Sequence, residues 1–328
     1  MTYTDLLRAS KIVVENCLKV EEREEVLLVL DQSQRNDVER ALIEAVTQAG
    51  GGALSIRLPP TESGPPGPEV QEPPRVVAET MKSADAIIAH TTMPLARTAA
   101  RKEAQSTGAR IIVIRTFNQA FTRTLNIDFD AVSQLTRRVA DAMSTSKEAL
   151  ITTPHGTNLR IGMGNKTKAY SGLCKNKRDY EQIPFGVTAV APKEGSAEGK
   201  LVVDKSGEGI GRVSEPIVID IKENRIVSIE GGREADILRS MLEKTEDTNA
   251  FYTPAEWGVG TNPQARFLGR YPTMEDERVQ GAAHIGIGGN LQWDGGTIKS
   301  NFHIDVNISD VDILLDGKPI LKNRRFLL

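Results

Sequence analysis

The chain has 328 residues, more than one core usually organises, and its 41 Lys and Arg against 44 Asp and Glu leave no broad positive field to hold nucleic acid or anionic lipid. Hydrophobic residues at 39% and charged residues at 26% exclude a disordered chain. Two folded domains are expected, with a small-molecule substrate rather than a nucleic acid or a membrane as partner.

In chain order, Leu6, Val13, Cys17 and Val20 predict a helix over residues 5 to 20, capped by Thr4 or Asp5. Val26 to Leu30 is a short all-apolar run, the pattern of a strand covered on both faces. A helix over Asp37 to Ala49 and a strand over Ala53 to Leu58 complete a strand, helix, strand unit. The stretch from Pro59 to Pro74 is a loop, because its prolines remove backbone donors. Helix from Arg75 to Lys82, strand from Ala84 to Ala89, helix from Thr98 to Ser106 and strand from Ile111 to Ile114 follow. Such alternation predicts a doubly wound parallel sheet, an α/β domain in which ligands gather beyond the carboxyl ends of the strands. His90 stands at one such end, and Arg97 follows it. Phe129 to Ala149 has the spacing of a long helix that closes this domain, residues 1–149.

From residue 150 the texture changes. Asn158 to Met163, Lys200 to Asp204, Pro216 to Ile221 and Arg225 to Glu230 are short and alternating, with one helix over Ala235 to Lys244. Residues 150–328 are therefore expected to form a mainly antiparallel α+β domain.

Chemistry concentrates late in the chain. Of four histidines, His284 and His303 lie within twenty positions of one another. His303 and Asp305 are two apart in an alternating segment, Asn301 to Ile308, so on a strand they share a face and could grip a divalent cation with nitrogen and oxygen. The alternative is that they only hydrogen-bond each other on a polar sheet face. His284 is surrounded by small residues, Gly281 to Gly289, which permit close backbone approach. Glu256 is an acid among apolar and small neighbours, so it is either an exposed loop acid or a buried one that needs a cation or hydrogen bonds. Gly207 to Gly211 and Gly286 to Gly289 read as turns, since neither opens a helix with phosphate-binding spacing. No GxSxG elbow is present, and Cys17 and Cys174 have no histidine near them in sequence, so covalent catalysis has no support. The two cysteines form no CxxC pair, and the first residues show no basic and apolar leader, which together point to the cytoplasm.

The run Ala255 to Pro263, then Glu275-Asp276-Glu277 before Gly281, His284 to Gly288, Gly295-Gly296, His303-x-Asp305 and Asp316-Gly317 resembles the C-terminal signature of the aminopeptidase T family of metallopeptidases. Pro184 to Val187 and Ala191 to Ser196 resemble another element of it. The likeness spans roughly residues 150 to 320 and is looser before them. It implies Glu256, His284, His303 and Asp305 as metal ligands. Val187 stands where those peptidases carry a further glutamate ligand, and Leu291 stands near the place of their tyrosine.

The same superfamily contains iron-dependent 2,5-dihydroxypyridine 5,6-dioxygenases, which also lack the glutamate at Val187. Their iron is held by two histidines and an aspartate. The last two match His303 and Asp305, the first falls at Glu256, and none matches His284. Two catalytic readings follow, beside a third, a binding protein that has lost catalysis if Val187 has cost the site its metal. The first is a hydrolase in which one divalent transition metal, Zn, Mn or Fe(II), activates water against an amide or related C–N bond, with Glu277 as a candidate proton acceptor and His90 and Arg97 orienting the substrate. The alternative account of Glu277 is a surface acid within a charge run. The second is a non-haem Fe(II) dioxygenase cleaving the ring of a hydroxylated N-heterocycle. Either way the resemblance implies a homo-oligomer.

Overall fold

The computed structural model describes residues 2–31, 36–59, 72–91, 95, 98–115, 119–269 and 274–328. Most of the proline-rich stretch and Arg97 lie outside the described residues. The chain divides into two compact units. The first runs to Phe129 and regains Gly172–Phe185; the second holds Asp130–Ser171 and Gly186–Leu328. These units are not the contiguous blocks 1–149 and 150–328.

In the first unit, five parallel strands lie in the order Gly52–Leu58, Glu25–Asp31, Ala86–His90, Arg110–Ile114, Tyr180–Ile183. Burial on both faces explains the unbroken apolar runs, and Leu27, Val29, Ile87, Ala89, Ile111 and Val113 pack in one core. The fifth strand comes from the later part of the chain, which its short, mixed sequence did not announce. The first helix is Tyr3–Lys11, and its cap is Thr2 rather than Thr4 or Asp5: the Thr2 hydroxyl accepts from the Asp5 amide while the Asp5 carboxylate accepts from the Thr2 amide. The chain then widens into a π-helical turn, Ile12–Leu18, that buries Val13, Val14, Cys17 and Leu18.

The second unit is built on antiparallel sheets. The larger runs Arg225–Glu230, Ile217–Lys222, Glu198–Val203, Asn158–Gly162, Glu148–Thr152, Asp312–Leu315, Lys318–Lys322, Arg325–Phe326. The smaller runs Gly211–Arg212, Ser206–Gly207, His303–Ile308, Ala283–Gly288, Trp257–Val259. Trp257, Ile285, Ile287, Ile304 and Val306 from the smaller sheet join Ile151, Leu159, Leu201 and Ile219 from the larger in one apolar core.

The helix expected over 129 to 149 is Phe129–Thr145, and Glu148–Thr152 is already a strand. Three successive hydroxyls, Ser144, Thr145 and Ser146, bond back to the carbonyls of Ala140, Asp141 and Ala142. Beyond them the Asp316 carboxylate accepts from the amides of Lys147 and Glu148, turning the chain out of the helix. Val139 and Met143 on this helix belong to the core of the second unit. Among the described residues no helix is long and apolar enough to cross a membrane.

Candidate metal centre

Strand alternation assembles the site. On His303–Ile308 the side chains of His303, Asp305 and Asn307 share one face, and the neighbouring strand places Gly288, Gly286 and His284 opposite them in register. On the far side of that strand Gly258 pairs with His284. Glycines thus stand beside each functional side chain, and two of them are required there. A Cβ on Gly286 would fall 2.7 Å from Glu256 Cγ and 3.2 Å from His303 Cε1; one on Gly258 would fall 1.7 Å from the Thr188 carbonyl oxygen and 2.6 Å from His284 Cε1. Gly286 and Gly288 accordingly belong to a strand, not to the turn that their sequence suggested.

Glu256 arrives from the segment before Trp257–Val259. Its backbone is tied to the His284 strand, Ala255 N donating to Gly286 O and Gly286 N to Glu256 O, each at 2.8 Å. The carboxylate enters the space in front of the imidazoles. His284 Nε2 lies 3.6 Å and His303 Nε2 3.9 Å from Glu256 Oε1, and His303 Nε2 lies 3.7 Å from Asp305 Oδ1. One atom each from Glu256, His284 and Asp305 falls within 4.8 Å of the others, and all three residues are buried.

The protonation of His303 can be read from its partner. Nδ1 lies 2.7 Å from the Gly289 carbonyl oxygen, which can only accept, so Nδ1 carries a hydrogen and in the neutral ring Nε2 presents the lone pair. That lone pair faces two carboxylates, an arrangement that repels unless a proton or a cation lies between them. Two atoms bound at ~2.1 Å to one ion stand at most ~4.2 Å apart, and the three separations above fall inside that limit.

Glu256 Oε2, His284 Nδ1 and Asp305 Oδ1 find no hydrogen-bond partner among the described residues. Burial, reinforced by the charge of Glu277, pushes the Glu256 carboxyl up to about 8. Asp305 is raised as well, by burial first and then by Glu256. Buried acids of this kind need a cation to ionise together. Two carboxylates and two imidazoles suit a divalent transition metal.

A model of the 2,5-dihydroxypyridine 5,6-dioxygenase family matches residues 5–327. The chain belongs to that family. A 2,5-dihydroxypyridine 5,6-dioxygenase from Pseudomonas putida KT2440 is 25% identical over 255 residues, spanning 74% of this chain and 70% of the relative. The solved 2,5-dihydroxypyridine dioxygenase of the same organism shares the fold with a TM-score of 0.85 at 20% identity, covering 100% of this chain and 98% of that one. Wild-type AmpT from Thermus thermophilus shares it with a TM-score of 0.72 at 17% identity, covering 99% of each chain. The dioxygenase part of the relationship drawn from the C-terminal motifs is thus shown by the family match, and with AmpT the chain shares the fold.

In this family member Glu277 is not a surface acid. It is buried and paired with the guanidinium of Arg278. Its carboxylate also forms, with Glu208 and Asp305, a second group whose oxygens lie within 4.8 Å of one another. The two groups share Asp305 but differ in charge. Arg278 is paired directly with Glu277 of the second, whereas the first contains an imidazole.

The rest of that charge run is buried too. The Glu275 carboxylate accepts from Arg266 N, and Asp276 accepts from Leu268 N, Gly269 N and the Ser206 hydroxyl. Glu208 escaped sequence reading because it sits in a glycine turn, yet its amide donates to Asp305 O at 2.9 Å. His90 closes its strand in the first unit and is buried, at the point where the order of parallel strands reverses. Val187 is buried, pairs with Tyr170, and offers no donor atom.

Proposed function

We propose that this chain is a metal-dependent dioxygenase that opens the ring of a hydroxylated N-heterocycle, with Glu256, His284, His303 and Asp305 holding one divalent ion. The family match across residues 5–327 carries this reading. A bound Fe(II) would supply redox chemistry and positions open to the substrate and dioxygen.

The remaining work falls to the protein. Asp305 and Glu256 hold the negative charge that balances a divalent ion. The bond from His303 Nδ1 to Gly289 O selects the tautomer in which Nε2 can bind an ion and fixes the plane of the ring. Glu277, within reach of Asp305 and held by Arg278, is the candidate to accept a hydroxyl proton of the substrate. Glu256, Glu277 and Asp305 are all buried, which keeps bulk water from their carboxylates.

A hydrolase is the second reading, and Glu256 with His284 favours it, since the resemblance places neither among the ligands of the ring-cleaving enzymes. The two separate in one assay. Protein stripped of metal and reloaded with Fe(II) is expected to consume oxygen with 2,5-dihydroxypyridine or a close hydroxylated relative and to be inert without oxygen. Turnover of amide substrates with Zn or Mn under anaerobic conditions would instead establish the hydrolase.

A further inference from the structure

One buried side chain outside the ligand set is bonded to the Glu256 arm of the cluster and stands next in the chain to the residue that meets His303. Asn290 follows the strand that carries His284 and is 2% exposed. Its Nδ2 donates to the Ala255 carbonyl at 3.1 Å, immediately before Glu256 in the chain. Its Oδ1 accepts from Ile298 N at 2.8 Å, and its backbone amide donates to Ile298 O at 3.0 Å. These bonds close the loop 290–298 on itself and fasten it to the Glu256 segment. The residue just before Asn290 is Gly289, whose amide donates to Phe302 O and whose carbonyl receives the His303 ring hydrogen. A single amide group thus links the backbone that delivers Glu256 to the carbonyl that sets the tautomer and plane of His303.

The chemistry of the side chain explains why asparagine is needed. The position requires a donor toward one carbonyl and an acceptor toward one amide at the same reach, which a carboxylate cannot provide. In an aspartate variant one oxygen still meets Ile298 N while the other opposes Ala255 O, so the variant keeps the shape and reverses one contact. Partners of ligands commonly alter metal affinity ten- to a hundredfold when lost.

Asn224 gives an internal comparison. It is fully buried, accepts from Ala197 N at 2.9 Å and donates to Pro254 O at 3.1 Å, so it also braces the segment before Glu256. It makes no hydrogen bond to loop 290–298.

We propose that Asn290 is a positioning residue that couples Glu256 to His303 and thereby sets the affinity of the cluster for its ion. The inference rests on the reading of that cluster as a cation site, and the test keeps the two apart. Full-length protein labelled with nitrogen-15 in histidine is examined free of metal by NMR, with the His303 Nδ1 hydrogen assigned by its loss in His303→Gln; Co(II) is then titrated as the probe. In wild type the Nδ1 hydrogen is expected to exchange slowly. In Asn290→Asp it should exchange faster and the Co(II) dissociation constant should rise by about 10- to 100-fold. In Asn224→Asp, which loses a brace of the Glu256 arm alone, Tm should fall, with or without a fall in Co(II) affinity, while His303 Nδ1 exchange should stay within about twofold of wild type. If Asn290→Asp does not fold, Asn290→Ser takes its place with the same expectations. Unchanged His303 exchange in the Asn290 variant, or equally accelerated His303 exchange in the Asn224 variant, would overturn the coupling. Wild type that takes up no Co(II) would overturn the cation reading, while the metal-free His303 signal still decides whether Asn290 holds that ring.

Discussion

Gly286 stands directly across from Asp305 in the sheet, and the space where its side chain would be is taken by Glu256 Cγ and His303 Cε1. Gly286→Ala should therefore displace two candidate ligands by a few tenths of an ångström each. The expected result is a loss of at least about tenfold in Co(II) or Fe(II) affinity, read by titration, with a stability cost of about 1–3 kcal/mol from overpacking. Gly258→Ala should be worse, because its new methyl would meet a backbone carbonyl that cannot move away. For that variant the expected readout is loss of cooperative thermal unfolding.

The raised carboxyls predict how the metal-free protein responds to pH. A carboxyl whose folded pKa lies above its unfolded one makes the folded state hold the extra proton, so its contribution to stability falls as pH rises between the two values. For Glu256 that window runs from the ordinary 4.5 to about 8. Metal-free protein should lose on the order of a few kcal/mol across it, and Glu256→Gln should flatten the slope. Urea midpoints measured at intervals from pH 5 to pH 8 in the presence of a chelator test this; a flat wild-type profile would sink it.

The same protons must leave when an ion enters. Below pH 8 the affinity for Co(II) or Mn(II) should rise with pH, by roughly tenfold per unit for each proton released. Calorimetry in two buffers of different ionisation enthalpy counts those protons directly. A proton count of zero at pH 6.5 would mean that Glu256 and Asp305 are already both ionised in the free protein, contrary to their burial.

Some of this was legible along the chain and some was not, for identifiable reasons. The pairing of His303 with Asp305 on one face follows from a period of two, which is local, and the segment is a strand as expected. Three parallel strands of the first unit, Glu25–Asp31, Ala86–His90 and Arg110–Ile114, were equally plain, because burial on both faces leaves unbroken apolar runs. What escaped depends on residues far apart. The end of the long helix is set partly by Asp316, well over a hundred positions downstream of Lys147. The charge run from Glu275 to Arg278 looked like surface, yet Asp276 is taken up by the amides of Leu268 and Gly269. Glu208 and Asn290 act through contacts that no local spacing displays.

The three histidines of the second unit, one facing the surface and two facing the site, offer a control. His155 is 42% exposed in its side chain and lies 3.5 Å from Asp204, whereas His303 points into the cluster. His155→Gln should leave metal content unchanged, and His303→Gln or His284→Gln should each lower it below one ion per chain after gel filtration. Metal analysis of the three purified variants decides this. Equal retention in all three would remove the imidazoles from the ligand set.

Glu256 distinguishes this chain from the ligand pattern that the resemblance attributes to ring-cleaving relatives, and replacing it with histidine tests what the carboxylate does. With Glu256 and Asp305 ionised the pair neutralises a divalent ion; with Glu256→His one negative charge remains and a third imidazole joins the set. Nitrogen donors favour the later metals of the first row over Mn(II) more strongly than oxygen donors do. The ratio of Mn(II) to Co(II) dissociation constants should therefore rise in Glu256→His, by about tenfold or more if Glu256 is a direct ligand. Removing the buried acid should also abolish its share of the pH slope in the metal-free protein, so that the variant is the more stable of the two near pH 8. Both results are required of a residue that both binds the ion and carries the raised carboxyl. A changed metal preference without the change in slope would place the buried proton on Asp305 instead.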